Sequence, residues 1–313
     1  MALVVKRIKE KDYYYSFLSY FLVGRSKSFS KYIGVKKPAK MALEGIEERF
    51  REEISQKISG KTYTSELIDP DDVIRSILFR NLFEKKYETL TDTQKRKYDI
   101  DSTVLFTLTT LTTEDVDVDL NDVRNAYRKA TNLTQREQIS RNMLNAVESI
   151  REPHRLDRQY LFMLHKIAMA SFETKSPGRL RNRQVYLHRI SPDNPISVEL
   201  AYRPPHYASL EKLLDEFIEW YNSSRLNPIE KATVAHYKLY KIHPFLDGNK
   251  RICRLIFNKT LLDERFPLLN VSLEKERYFE ALIESVEKNK AKTLVEFGLK
   301  QYYSQIRGFL ASA

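Results

Sequence analysis

Two runs of apolar residues at helical spacing, parted only by Pro244 and Gly248, leave this stretch little choice but a helix, a tight corner and a second helix. Asn227-Pro228 supplies an N-cap and a proline suited to the first helical position, and Ile229, Ala232, Ala235, Leu239 and Ile242 then recur on one face. Pro244 cannot continue that helix, and Gly248 lets the backbone turn through a conformation that other residues resist. Ile252, Leu255, Ile256 and Leu262 begin the second period. His243 is therefore expected at the end of one helix, with Asp247-Gly248-Asn249 feeding the N-terminus of the next.

A helix N-terminus offers free N–H groups and the positive end of its dipole, so such a corner suits an anion, and phosphates are the usual occupants. Arg251 and Arg254, three residues apart, share a helix face and carry planar forks that match phosphate oxygens. Asp247 opposes these cations unless a divalent metal lies between it and the phosphates. Magnesium, which keeps waters and takes one or two carboxylates, fits that gap. His243 brings an imidazole suited to general-base work near neutrality. Taken singly, a histidine at a helix end is a cap or a satisfied surface group, the reading preferred for His165, His206 and His236. An arginine pair at this spacing is ordinarily a solvated face. It is the concentration from His243 to Arg254 that argues for a site.

The segment resembles the signature of the Fic family, His-x-Phe-x-Asp/Glu-Gly-Asn-Gly/Lys-Arg-x-x-Arg, and fills every specified position. The resemblance implies a mainly helical core with a β-hairpin flap, and transfer of AMP from ATP to a protein hydroxyl with release of pyrophosphate. By position, His243 becomes the base for a Ser, Thr or Tyr hydroxyl, and Asp247 the magnesium ligand. Gly248 and Asn249 line the anion hole with Lys250 and Arg251 beside it, and Arg254 grips the γ-phosphate. Lys250, where the family more often has glycine, is shared with the related Doc toxins, which transfer phosphate; Arg254, which they lack, points back to AMP transfer.

The chain has 313 residues, of which 42% are hydrophobic, enough for a sizeable core. A net charge of +11 attracts polyanions without specifying one. Cys253 is the only cysteine, so no internal disulfide can form and a cytoplasmic setting is expected; within the motif helix it reads as a small core residue. No signal peptide or membrane span is expected.

Taken in order, residues 12–34 read as a β-hairpin around Val23-Gly24-Arg25-Ser26-Lys27-Ser28. Its lysines and tyrosines suit nucleic acid, but a small sheet packed on a helix needs the same residues, and packing is preferred. Helices are expected from Pro38 to residue 58 and over 71–87, with a short third opened by a capping box of Thr91 and Gln94. Residues 1–100 thus form an N-terminal hairpin and helical arm, and 101–313 the core. The run Thr107 to Thr113 favours a strand on propensity. The family comparison instead makes residues 101–116 an inhibitory helix of the pattern Ser/Thr-x-x-x-Glu-Gly/Asn. Thr110 and Glu114 are then in register, Asp115 departs from Gly or Asn, and the helical stretch that follows reaches Asn145-Ala146. On that implication Glu114 pairs with Arg254 and fills the γ-phosphate position; Glu44-Gly45 is a rival placement.

A further helix is expected over 156–172, then a flap over 183–204. Its strand Val185-Tyr186-Leu187-His188 returns through Pro192-Asp193-Asn194-Pro195; the hairpin resembles the family's flap, which implies that it binds a target by strand addition. An amphipathic helix follows over 208–222. The resemblance places Tyr278 and Phe279 near the adenine. The chain is thus expected to be a magnesium-dependent protein adenylyltransferase restrained by Glu114, with ATP and a protein substrate as partners; self-modification and a homodimer are both compatible with it. Removal of AMP and phosphate transfer are alternatives at the same site. The rival of another class, a nucleic-acid-binding regulator, has no helix-turn-helix or zinc spacing behind it, so nucleic acid is not expected as a partner.

Overall fold

The structure, a computed structural model, describes residues 2–190 and 198–312. The mainly helical expectation holds: the described residues form eleven α-helices and five short strands. None of these helices is long and apolar enough to cross a membrane. The chain divides into two compact units, one of Met1–Thr89, Arg225–Asn227 and Tyr303–Ala313, the other of Leu90–Ser224 and Pro228–Tyr302. This division differs from the expected boundary at 100/101. That boundary falls inside a helix, and the units part at Thr89, where one helix stops and the next has not begun.

In the first unit β1 (Ala2–Ile8), β2 (Lys11–Leu22) and β3 (Arg25–Gly34) form an antiparallel meander, so the expected hairpin has an additional strand. Strand β1 joins β2 through Lys9 and Glu10, both left-handed (φ 45° and 62°). That two-residue turn normally draws Gly or Asn, which is why no turn signal marks it. Ser16, Leu18, Tyr20 and Leu22 alternate onto the buried face, and the Tyr20 hydroxyl donates to Asp71 at 3.1 Å. Helices α1 (Lys40–Ser59) and α2 (Pro70–Thr89) bury Phe50 and Ile54, and Ile74, Ile77 and Phe79.

The second unit opens with α3 (Asp92–Thr112), capped by the Thr91/Gln94 box. It runs much longer than the short helix that the box alone suggested. The threonine run is helical, and two of its hydroxyls bond back one turn: Thr109 Oγ1 donates to Leu105 O at 2.9 Å and Thr112 Oγ1 to Leu108 O at 3.0 Å. Intrahelical bonds of this kind let threonine occupy a helix despite its branched Cβ. There follow α4 (Leu120–Arg128), α5 (Gln135–Arg151), α6 (Arg158–Ala168), strands β4 (Leu187–Ile190) and β5 (Val198–Tyr202), α7 (Leu210–Ser223), α8 (Pro228–Ile242), α9 (Asn249–Asp263), α10 (Lys275–Glu287) and α11 (Lys292–Ala311). The central helix is α9, buried from Arg251 to Leu261 and packed against α3, α5, α6 and α8. A helix enclosed on all sides is normally apolar. This one carries Arg251, Arg254, Asn258 and Lys259 inside, which marks it as more than scaffold.

Candidate active site

The corner between α8 and α9 has the predicted form. Ile229, Ala232, Ala235, Leu239 and Ile242 are buried, and His243 follows in a left-handed conformation (φ 49°), its N–H still bonded to Leu239 O at 3.0 Å. Gly248 has φ 73°, and a Cβ there would sit 2.6 Å from Met169 Sδ, so glycine is required by both conformation and space. Gly248 caps α9 with no side-chain bond, leaving the first turn's N–H groups open to an anion.

The His243 ring is buried, edge-on to Tyr240 at 5.6 Å, and its Nδ1 has no hydrogen-bond partner. Burial pushes its pKa down to about 4, against a smaller upward pull from the Tyr240 carbonyl. The imidazole is therefore in its base form at neutral pH. Its main chain is held by Arg181, a residue that sequence reasoning missed. Arg181 Nε donates to His243 O at 2.8 Å, its backbone N–H to Pro244 O at 2.9 Å, and its other nitrogens to Arg183 O at 3.0 Å and Pro205 O at 2.5 Å. Among neighbouring arginines in the sequence nothing distinguishes it.

His165 and His236 are also buried, against the expectation of surface groups. His165 accepts from Gly178 N–H at Nδ1 (2.8 Å), and its Nε2 lies 3.0 Å from Asp247 O, while its ring stacks on Phe245 at 3.7 Å. His236 Nε2 lies 3.0 Å from the Tyr278 hydroxyl. His206 does cap a short helical turn, its Nδ1 accepting from Ala208 N–H.

Helix α3 ends at Thr112, and Glu114 lies in the turn just beyond it. Glu114 N–H donates to Leu111 O and Asp115 N–H to Thr112 O, with Asp115 left-handed at φ 55°. Glycine or asparagine is favoured in that conformation and aspartate is the next best, so the departure at Asp115 preserves the backbone. Glu114 Oε1 lies 2.8 Å from Arg254 Nη2, and Oε2 3.4 Å from Lys250 Nζ. Arg254 Nη2 also donates to Thr110 O at 3.0 Å, whereas the buried Thr110 hydroxyl has no partner. Burial alone would raise the Glu114 pKa, but Arg254 and then Lys250 outweigh it and hold the carboxyl below its usual value. Glu44, by contrast, is an exposed residue of α1 in the first unit. Asn145 is exposed, with Ala146 buried beside it.

Three cations, Lys250, Arg251 and Arg254, thus gather around one buried carboxylate. The buried Nε atoms of Arg251 and Arg254 have no partner, while Arg251 Nη1 lies 2.7 Å from Met169 Sδ. The cluster can take further negative charge. Two expected contributors differ in detail. The Asn249 amide bonds both Phe245 N–H (3.0 Å) and Phe245 O (2.9 Å), so it holds the loop, and only its backbone faces an anion. Tyr278 is fully buried behind Arg254, 3.4 Å from Nη1, so its ring backs the arginine; Phe279 is half-buried with Lys250 Nζ 4.6 Å from its ring centroid. Cys253 is fully buried and its thiol pKa is raised by burial, as befits a core residue.

Among the described residues no group of three or more His, Cys, Asp or Glu could hold a metal. Asp247 stands at the site's edge, its Oδ1 accepting from Gly248 N–H at 2.6 Å and Oδ2 3.7 Å from Lys175 Nζ. One accessible carboxylate fits magnesium that is held otherwise by phosphate oxygens and water. Strands β4 and β5 pair from Leu187↔Tyr202 to Ile190↔Val198, so Leu187 and His188 are in the expected flap strand while Val185 and Tyr186 precede it. The expected turn at Pro192-Asp193-Asn194-Pro195 lies outside the described residues.

Residues 155–261 match the family model described as Fic/DOC family. The chain is 28% identical over 152 residues to protein adenylyltransferase fic-1 of Caenorhabditis elegans, covering 48% of this chain and 28% of the relative. It is 32% identical over 123 residues to protein adenylyltransferase Fic of Drosophila erecta, covering 38% and 22%. It therefore spans less than a third of the length of these relatives. Among solved structures, a Fic family protein from Desulfovibrio desulfuricans G20 superposes with TM-score 0.63 at 19% identity, over 80% of this chain and 77% of that one. Fic-1 (residues 134–508) of C. elegans gives 0.61 at 18%, over 86% and 76%. These likenesses are of fold.

Proposed function

We propose, for a chain whose residues 155–261 belong to the Fic/DOC family, transfer of AMP from ATP to a Ser, Thr or Tyr hydroxyl of a protein, restrained by Glu114. The observation that carries this reading is the Arg254–Glu114 pair at 2.8 Å inside a cluster with a surplus of cations. A carboxylate holding the innermost arginine occupies the position that a terminal phosphate would take.

In the reaction the target oxygen attacks the α-phosphorus, its proton passes to His243, and the bond from that phosphorus to the α,β-bridging oxygen breaks, so pyrophosphate leaves. The neutral state of His243 supports this role. Its low basicity is eased when a triphosphate arrives, because nearby negative charge favours the imidazolium. The open N–H groups of α9, Lys250 and Arg251 orient the phosphates, and Arg254 takes the γ-phosphate once Glu114 withdraws. Asp247 would hold magnesium, which neutralises phosphate charge. Strand pairing at Leu187 and His188 would bring in the target main chain, which is why the sequence names no target. Self-modification is the same reaction with this chain as the target.

The test is incubation of the full chain with magnesium and ATP labelled at the α-phosphate, alone and with lysate. Label on protein is expected, more with Glu114→Gly and none with His243→Ala. Label from the γ-position instead would assign phosphate transfer. No label from either position with a correctly folded Glu114→Gly chain would overturn the proposal.

A further inference from the structure

The two faces of the N-terminal sheet are made differently. One buries Ser16, Leu18, Tyr20 and Leu22. On the other, the strand register sets Tyr13 opposite Lys6, Tyr15 between Val4 and Tyr32, and Phe17 between Ala2 and Ser30. The Tyr32 ring lies 5.4 Å from Tyr15 and 6.1 Å from Tyr13, and Lys6 Nζ lies 4.8 Å from the Tyr15 centroid. Tyr32 is 50% exposed and Phe21, on the same face, 73%.

Packing, preferred from the sequence, accounts for the first face only. The outward face of a one-side-buried sheet is ordinarily polar. Here it presents a row of rings. The charge is equally uneven: residues 1–40 hold ten Lys or Arg against two Asp or Glu, eight of the chain's net +11, and the register sets Lys6 and Lys11 on the ring face, with Lys9 in the turn between their strands, and Arg7, Arg25, Lys27 and Lys31 on the opposite face. Among the described residues Lys31 pairs with Glu53, and the other nine of these cations are exposed.

Rings flanked by cations complement a ligand that is itself a polyanion carrying flat apolar groups. Single-stranded nucleic acid has that chemistry, since its bases are free to stack while its backbone follows the positive charge. A duplex hides the base faces, and an acidic protein lacks them. We propose that the outer face of the N-terminal sheet binds single-stranded nucleic acid, with Tyr13, Tyr15, Phe17 and Tyr32 stacking bases and Lys6 and its neighbours holding the phosphates. This inference stands apart from the transfer reaction proposed above.

The test is fluorescence anisotropy of the full chain with a labelled short oligonucleotide as single-stranded RNA, single-stranded DNA and duplex, over a range of salt. Either single strand should bind more tightly than duplex, with affinity falling as salt rises. Preference between RNA and DNA identifies the source. Replacing Tyr15 and Tyr32 together by threonine, which keeps strand propensity, should weaken binding by at least about tenfold, since each stacked base contributes about that much. Lys6→Gln should weaken it less and flatten the salt dependence, and His243→Ala should leave it unchanged. If the double variant loses its far-ultraviolet circular dichroism, Tyr32→Thr alone carries the test. Absence of binding, equal affinity for duplex, indifference to the tyrosine changes, or equal displacement by polyglutamate would each overturn the proposal.

Discussion

Replacing Glu114 by glycine should move stability and nucleotide affinity in opposite directions. The side chain of Arg254 is wholly buried and that of Glu114 is 10% exposed, so solvent screens their 2.8 Å contact little. Removing one partner of a buried pair leaves an uncompensated charge and costs about 3–5 kcal/mol. At about 2–4 °C per kcal/mol for a unit of this size, the lower figure lowers the melting temperature by about 6–12 °C without nucleotide. Arg254 is then open to a γ-phosphate that no longer has to displace a carboxylate. A hydrogen bond to a charged group contributes about 1.5–3 kcal/mol, so ATP should bind roughly 10–150-fold more tightly. Melting curves across an ATP–magnesium titration, in a His243→Ala background that blocks turnover, measure both effects. The variant should start below the parent and gain more from the nucleotide. If it melts like the parent without ATP, or gains no more than the parent does, Glu114 is not competing with phosphate and the reasoning fails.

Burial lowers the pKa of His165 and His243 to about 4 and of His236 to about 3, so below the unfolded value of about 6.5 the unfolded chain takes up protons that the folded chain refuses. Stability should therefore fall as pH drops from 7 to 5, by roughly 2 kcal/mol per histidine; His236→Gln should flatten the trend in melting temperature, and a flat parent profile would contradict it. Gly248→Ala combines a left-handed residue with a Cβ 2.6 Å from Met169 Sδ, and should cost about 2–4 kcal/mol in denaturant unfolding.

The two motif helices were legible because Pro228, Pro244 and Gly248 punctuate uninterrupted apolar periods, and that local pattern needs no distant contact to be right. The cation cluster was legible for the same reason, since one turn of α9 holds it. The helix over Thr107 to Thr112 was not legible from propensity, because hydroxyl bonds to carbonyls one turn back exist only once the helix has formed. Strand β1 was hidden by a turn made from Lys9 and Glu10. Arg181 escaped, and the contacts of Tyr278 were not foreseen, because what each touches lies far along the chain, His243 and Pro205 for one, Arg254 and His236 for the other. Glu114 came from the family resemblance; composition alone does not separate it from its acidic neighbours.

The ring of His165 receives a proton on one side, from the Gly178 amide, and so must offer one on the other, to the Asp247 carbonyl. What this position demands is directional polarity, one acceptor and one donor at opposite ends of a flat plate, and not the capacity to titrate. A second proton would set two donors face to face and part the turn at Gly178 from the loop that carries the carboxylate. Two imidazoles a few residues' width from one another thus have opposite duties: His243 is placed to change its protonation, and His165 to keep it.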